Sequence, residues 1–399
     1  MIKRYYYKYL SDFTAFLTPA GEESKCRVIS DKLGYVEDIQ AFLENLKAEL
    51  PADGRVIITQ YSALWEPALR LASHLGLRTG PIEQNWLSLQ DLKNFSYLAG
   101  LETVKSGSKM ILPVYIPGIA EILNTFIAAI WPFSKLGFFH YVVLRKPEPR
   151  VLQAKSNMPS ISIIVPARNE AGTIEKISTG LPVLGKYTEI IFLEGNSTDN
   201  TYEEIERVVG LLDGDKKRRI LCAKQDGKGK GDAVRKGFEM ATGDILAIYD
   251  ADMTVPIDEV RKFYEAIVTN KGDFINGSRL VYPLEKDSMR VLNFFGNKFF
   301  SLAFTWILGQ PLKDTLCGTK VLWRSDYEKI KHGRKFFGDF DPFGDFDLLF
   351  GAAKLNLKIV DLPIHYKQRI YGTTNISRWK HGWLLLRMTV FAAGKLKFL

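Results

Sequence analysis

Two carboxylates one residue apart, Asp250 and Asp252, close a β-branched and aromatic run that begins at Leu246. A strand ending in Asp-x-Asp sets two hard oxygen ligands at the carboxyl edge of a sheet. Open α/β folds take ligands at that edge, and Mg²⁺ or Mn²⁺ held there can bridge to a diphosphate. Taken alone, the pattern also suits a turn or a helix cap. It has company, however. The apolar run Ile161–Val165 exits into Pro166-Ala-Arg-Asn-Glu170, and Glu189–Leu193 exits into Glu194-Gly-Asn-Ser-Thr-Asp-Asn-Thr201, so two more strands deliver polar groups to one edge. Gly227-Lys-Gly-Lys-Gly-Asp232 opens a helix just before the Asp-x-Asp strand. Its Lys228 and Lys230 read either as phosphate contacts or as a flexible basic loop with Asp232 capping the helix. Gly277-Ser-Arg279 lies one strand beyond.

In order and spacing these segments resemble the family 2 glycosyltransferases of the GT-A fold, most closely the polyprenyl-phosphate sugar synthases typified by dolichol-phosphate mannose synthase. The resemblance runs from about residue 158 to the C-terminus. It implies that Asp252 ligates the ion and that Asp250 holds a ribose, or the ion through water. It assigns Pro166, Ala167, Glu170 and Glu194 to the nucleoside-binding edge, and Arg279 and Arg290 to donor and acceptor phosphates, which suits guanidinium geometry. Asp314 would shape the acceptor side through the Asp314-Thr-Leu-Cys-Gly318 signature, with Cys317 a small packed residue. Asp345 and Asp347 stand where hydroxyl-accepting relatives keep a general base, a helix cap being the alternative use of Asp345. Tyr371 to Arg378 matches the loop that closes over the site. The sequence departs from the family at Thr254, where a glutamine often adds a metal ligand, and at Asn196, where the usual acidic pair loses one carboxylate.

The elements that must position these residues belong to a chain of 399 residues, 46% hydrophobic and 25% charged, which supports two domains with cores of their own. The expected division is 1–147, a proline-bearing linker at 148–158, and 159–399. In the first part, Cys26–Ser30 and Arg55–Gln60 read as strands, Ile39–Leu50 and Ser88–Ala99 as helices, and Lys109–Val114 and Phe138–Leu144 as closing strands. This pattern looks like the second half of a class I S-adenosylmethionine methyltransferase. No glycine-rich turn or first-half strands precede it, so the expected fold class is α/β: a GT-A (Rossmann-like) domain behind an incomplete Rossmann-like methyltransferase-type domain that lacks its cofactor pocket and serves structure or docking.

A net charge of +9 and a pI near 9.1 suit an anionic membrane surface, a phosphorylated lipid or nucleic acid. With no zinc finger, RNA-binding aromatic motif or basic tail, nucleic acid is set aside. Three cysteines without metal-type spacing and the absence of a signal-like start lead to an expectation of the cytoplasm. Residues 111–133 are broken by Pro113, Pro117 and Gly118 and read as a packed or capping helix before an interfacial or spanning one. Val291–Leu308 and the basic, aromatic C-terminal stretch from Arg378 read as a monotopic contact with the cytoplasmic face of a membrane, two packed core helices being the alternative. The resulting expectation is a metal-dependent, inverting transfer of a hexose from a GDP- or UDP-sugar to a polyprenyl phosphate. Transfer to a hydroxyl, or a scaffold role, are the alternatives.

Overall fold

The computed structural model describes residues 2–76, 84–150, 158–212, 214, 217–283, 291–336, 344–369, 371 and 378–398. These form two compact units. The first comprises 1–148 with 354–356 and 393–399; the second comprises 149–353 and 357–392. The expected continuous domains are therefore amended. Segment 354–356 joins the first unit because Lys354 Nζ and Asn356 Nδ2 donate to Phe16 O and Leu17 O at 2.6 and 2.5 Å. Those are carbonyls that the last turn of a helix leaves without intrahelical partners. Likewise Lys397 O accepts from Lys109 Nζ at 3.1 Å.

The first unit is built on a four-stranded sheet of β1 (Cys26–Ser30), β2 (Arg55–Tyr61), β3 (Glu102–Lys109) and β4 (Phe139–Arg145), in the order β1-β2-β4-β3. β1 and β2 are parallel, whereas β4 runs antiparallel to both neighbours. β2 and β4 are buried along their whole length, and alternate residues face two separate cores. Ile57, Tyr61 and Val143 meet Tyr6, Leu10, Phe13 and Leu17 of a helix at Ile2–Leu17. Val56, Ile58 and Leu144 meet Leu43 and Leu92 of the helices Ile39–Glu49 and Leu89–Leu98. The strand expected at Lys109–Val114 lies instead at Glu102–Lys109. The apolar run misleads because β3 is a polar edge strand with a bulge between Thr103 and Lys105, a common way of blunting an edge. Residues 111–133 form no single α-helix: one short turn at Ile119–Glu121 passes into a π turn at Ile122–Phe126 and a 3-10 turn at Ile127–Ala129.

The second unit is a seven-stranded sheet of β5 (Ile161–Ala167), β6 (Thr188–Glu194), β7 (Arg218–Lys224), β8 (Ile245–Ile248), β9 (Phe274–Ser278), β10 (Lys320–Trp323) and β11 (Ile359–Pro363). Its order is β11-β9-β10-β8-β5-β6-β7. Only β10 runs against its neighbours, so the carboxyl ends of the other six strands and the amino end of β10 share one edge. The strands read as continuous apolar runs because helices cover the sheet, including Thr201–Leu211, Lys230–Met240 and Val260–Val268. Arg150, inside the expected linker, is fixed by Asp326 and Asp273 at 2.6 and 2.5 Å. Among the described residues, no helix is long and apolar enough to cross a membrane.

Candidate functional site

The shared strand edge collects several of the expected residues. Ala167, Glu194 and Lys224 are in register at the ends of β5, β6 and β7. Pro166 lies beyond the last β5–β8 pair, Ile164 with Ile248, so its missing N–H removes no bond on that side. Ala167 O accepts from Gly195 N at 2.9 Å, and the buried Glu194 carboxylate accepts from Ser197 N at 2.5 Å, folding the β6 exit into a turn. Asn169 Oδ1 takes the Thr198 N–H at 2.7 Å and so ties the β5 exit to the β6 exit. Asn169, Asn196 and Met253 all have φ between 53° and 57°. Three exits therefore hold non-glycine residues in the left-handed region, which is sparsely used except where the surroundings demand it.

After β8 the chain turns sharply. Tyr249 OH donates to Val255 O at 2.6 Å, and Thr254 donates to Asp252 Oδ1 through both N (3.1 Å) and Oγ1 (2.9 Å). Thr254, the departure from the family pattern, thus orients Asp252. Asp250 pairs with Lys230 at 2.6 Å. Although burial pushes the other way, Lys230 holds the Asp250 carboxyl below its ordinary value, and the same pairing raises Lys230. Gly318 lets this pair form: a Cβ there would stand 2.1 Å from Asp250 Oδ2 and 2.2 Å from Lys230 Nζ. Lys228 is exposed, and the Asp232 carboxylate accepts from Gly227 N at 2.7 Å.

Arg279 is gripped by the fully buried Asp314, with Nε at 2.7 Å and Nη2 at 2.9 Å, and lies 5.2 Å from the Tyr366 ring centroid. Although burial alone would raise it, Arg279 holds the Asp314 carboxyl low. The fully buried Lys320 donates to Cys317 O and stands 3.3 Å from Asp345. Cys317 is packed as expected of a small residue, and burial pushes its thiol up to about 11. Asp345 and Asp347 diverge: Asp347 accepts from Arg334 Nε at 2.7 Å, so the two carboxylates do not act as one pair. Arg290 lies outside the described residues, and so does the side chain of Arg378, which begins the helix Arg378–Leu396.

Arg369 was not legible in the sequence as part of this site. The segment after β11 crosses the strand edge: Ile364 N donates to Ser278 O, Lys367 N to Thr254 O, and Tyr371 packs against Gly172. It carries Arg369 between two carboxylates, with Nη1 2.5 Å from Glu170 and Nη2 3.0 Å from Asp252. Burial pushes Glu170 up to about 7 against the pull of Arg369, with Asp252 adding to the rise. The only signal in the sequence was a basic run, Lys367-Gln-Arg369, just before the expected closing loop.

Asp250 and Asp252 provide two hard oxygen donors. Among the described residues, no group of three or more His, Cys, Asp or Glu side chains is arranged to hold a metal ion by itself. That donor set fits Mg²⁺ or Mn²⁺, which bind through one or two carboxylates and fill the remaining positions with water and phosphate oxygens.

Residues 162–331 match the Glycosyl transferase family 2 profile. The low-salt glycan biosynthesis hexosyltransferase Agl6 of Haloferax volcanii is 28% identical over 256 residues, which are 62% of this chain and 57% of that one. The dolichol-phosphate mannosyltransferase of Saccharomyces cerevisiae is 35% identical over 111 residues, 27% of this chain and 40% of that one. The match thus spans less than two thirds of either relative. Among solved structures, glucosyl-3-phosphoglycerate synthase from Mycobacterium tuberculosis, in complex with Mn²⁺, UDP and glucosyl-3-phosphoglycerate, superimposes with a TM-score of 0.43. It has 18% identity over 60% of this chain and 81% of that one. With the Asp-x-Asp strand edge described above, the profile match identifies residues 162–331 as a glycosyl transferase family 2 domain.

Proposed function

We propose that this protein is a GT-A-type, metal-dependent, inverting glycosyltransferase that moves a hexose from a GDP- or UDP-sugar to a polyprenyl phosphate at the cytoplasmic face of a membrane. The observation that carries the reading is the pair Asp250 and Asp252 at a strand edge, flanked by the cations Lys230 and Arg369. Mg²⁺ or Mn²⁺ held by the two aspartates would stabilise charge on the departing diphosphate. Lys230 and Arg369 would add fixed positive charge beside it, and Glu170 and Glu194 would line the nucleoside side. The acceptor oxygen forms its bond to the anomeric carbon as the bond to the diphosphate breaks on the opposite face. A lipid phosphate is already ionised near neutral pH and needs no general base. The engagement of Asp345 with Lys320 and of Asp347 with Arg334 favours that acceptor over a hydroxyl. Relatives named for transfer to dolichyl phosphate support it further. Arg279, Asp314, Arg290 and Arg378 are proposed to form the phosphate and acceptor side. Phe295, Phe299 and Leu302, exposed along one stripe of Val291–Leu308, and Trp383 and Val390 of the last helix supply the membrane contact in this reading.

Purified protein incubated with Mn²⁺ or Mg²⁺, a polyprenyl phosphate and labelled GDP- and UDP-sugars should move label into the organic phase, and Asp252→Asn should abolish it. Release of nucleoside diphosphate only on adding glycans or small alcohols would replace the lipid acceptor by a hydroxyl one. Silence with every acceptor would leave the scaffold reading. The first unit is proposed to be a shortened methyltransferase-type domain, a reading that rests on its strand–helix–strand pattern, β1, the helix Ile39–Glu49 and a parallel β2. Heat released on titrating S-adenosylmethionine into the protein would overturn the claim that it has no cofactor pocket.

A further inference from the structure

Residues 115–136 of the first unit are built inside out. Ile119, Ile122, Phe126 and Ile130 recur at helical spacing and are 44–56% exposed, while Ala120, Asn124, Ala128 and Ala129 are turned inward and buried. A segment folding onto a core does the reverse. The inversion is held by Asn124: its Oδ1 accepts from Ile111 N and Leu112 N, both at 2.9 Å, and its Nδ2 donates to Leu112 O and Tyr5 OH. Trp131, 72% exposed, and Phe133 extend the ridge. A contiguous apolar surface of this kind on a folded unit marks a contact site.

We infer that the first unit docks on an anionic lipid bilayer through this ridge. Composition and charge both point to lipid. Tyr, Trp and Phe with an apolar body and a cationic rim are the residues that settle at a bilayer interface. Lys135 Nζ stands 5.9 Å from the Trp131 ring centroid and is itself exposed. Tyr115 touches Tyr5, whose helix exposes Arg4 and Lys8 beside it, and Phe126 touches Phe398, one turn beyond the exposed Lys395. Against these cations, Glu121 is the one acidic residue between 110 and 137, and it accepts the Tyr115 hydroxyl. Cations around an apolar ridge complement acidic headgroups around a hydrocarbon layer. The ridge residues, Tyr115 to Phe133, are not those to which membrane contact was assigned above, Phe295, Phe299, Leu302, Trp383 and Val390, and docking through them would stand even if the acceptor were a hydroxyl.

The test is co-flotation of the full chain with vesicles of phosphatidylcholine alone and of equimolar phosphatidylcholine and phosphatidylglycerol, without polyprenyl phosphate or nucleotide sugar. The anionic vesicles should bind more protein. The exposed pair of substitutions Ile122→Asp and Trp131→Asp should lower that binding by roughly tenfold or more with an unchanged circular dichroism spectrum. Brominated lipid should quench fluorescence less in Trp131→Phe than in the wild type. Asp252→Asn should bind as the wild type does, so failure of transfer and failure of docking are read separately. Binding unaffected by the ridge substitutions but lost in Trp383→Asp would assign the membrane to the last helix and overturn the inference. A lipid-independent dimer abolished by the ridge substitutions, with vesicle binding absent or unaltered, would assign the ridge to a second copy and overturn it equally.

Discussion

At the scale of single residues, the site depends on charges placed against one another where no spare volume exists. Gly318 is the clearest case, because it leaves the space in which Lys230 meets Asp250. Both obstructing groups are the ends of side chains, so Gly318→Ala would let the fold survive while forcing the pair apart. Transfer is expected to fall on the order of tenfold or more, equivalent to about 1.4 kcal/mol of barrier, while the thermal midpoint drops by no more than a few degrees. Kinetics beside a melting curve would check this, and a large loss of stability with normal turnover would contradict it. Legibility also divides at this scale. Asp250 and Asp252 announced themselves by type and spacing. Arg369 did not, since its partners Glu170 and Asp252 lie 199 and 117 residues away and no local pattern connects them.

At the scale of elements, Arg150 shows how a polar stretch can belong to a core. Its guanidinium faces Asp273, just before β9, and Asp326, in the helix Arg324–Gly333, both almost wholly buried. Removing one partner of such a set leaves buried charge uncompensated. Arg150→Met is therefore expected to cost about 3–5 kcal/mol in urea denaturation, and adding Asp326→Asn should recover part of it. A loss below about 1 kcal/mol would show that the carboxylates find water or neutralise at little cost. The helices Ile39–Glu49 and Leu89–Leu98 and most of the strands could be read from periodicity because each buries one face or lies between covered faces. β3 escaped that reading, since an edge strand needs little apolar character, and so did Ile2–Leu17, which three adjacent tyrosines disguised.

At the scale of the whole molecule, acid should weaken the first unit in a definable window. His140 is buried on β4, with Nδ1 2.8 Å from Ser108 Oγ, and burial pushes it down to about 4 from an ordinary value of 6.5. The folded state holds the neutral ring. Stability from this group is complete above pH 6.5 and declines as pH falls toward 4, because the unfolded chain takes up a proton that the folded chain refuses. The loss amounts to about 3 kcal/mol over that window. Thermal denaturation between pH 7 and pH 4 should show it, and His140→Asn should flatten the slope; an equal slope in the variant would exclude His140 as its source.

The amino-acid sequence by itself determined most of the strands and helices, the strand-end location of the Asp-x-Asp pair and the family resemblance from about residue 158 onward, because each is written in neighbouring residues. Tertiary structure alone decided that β10 runs against the sheet and so brings Lys320 to the edge where the other strands end, that Arg279 is spoken for by Asp314, and that Asp345 and Asp347 part company. It also turned Ile119, Ile122 and Phe126 outward. These depend on contacts between residues far apart in the chain, where burial and charge pairing override what any local pattern prefers.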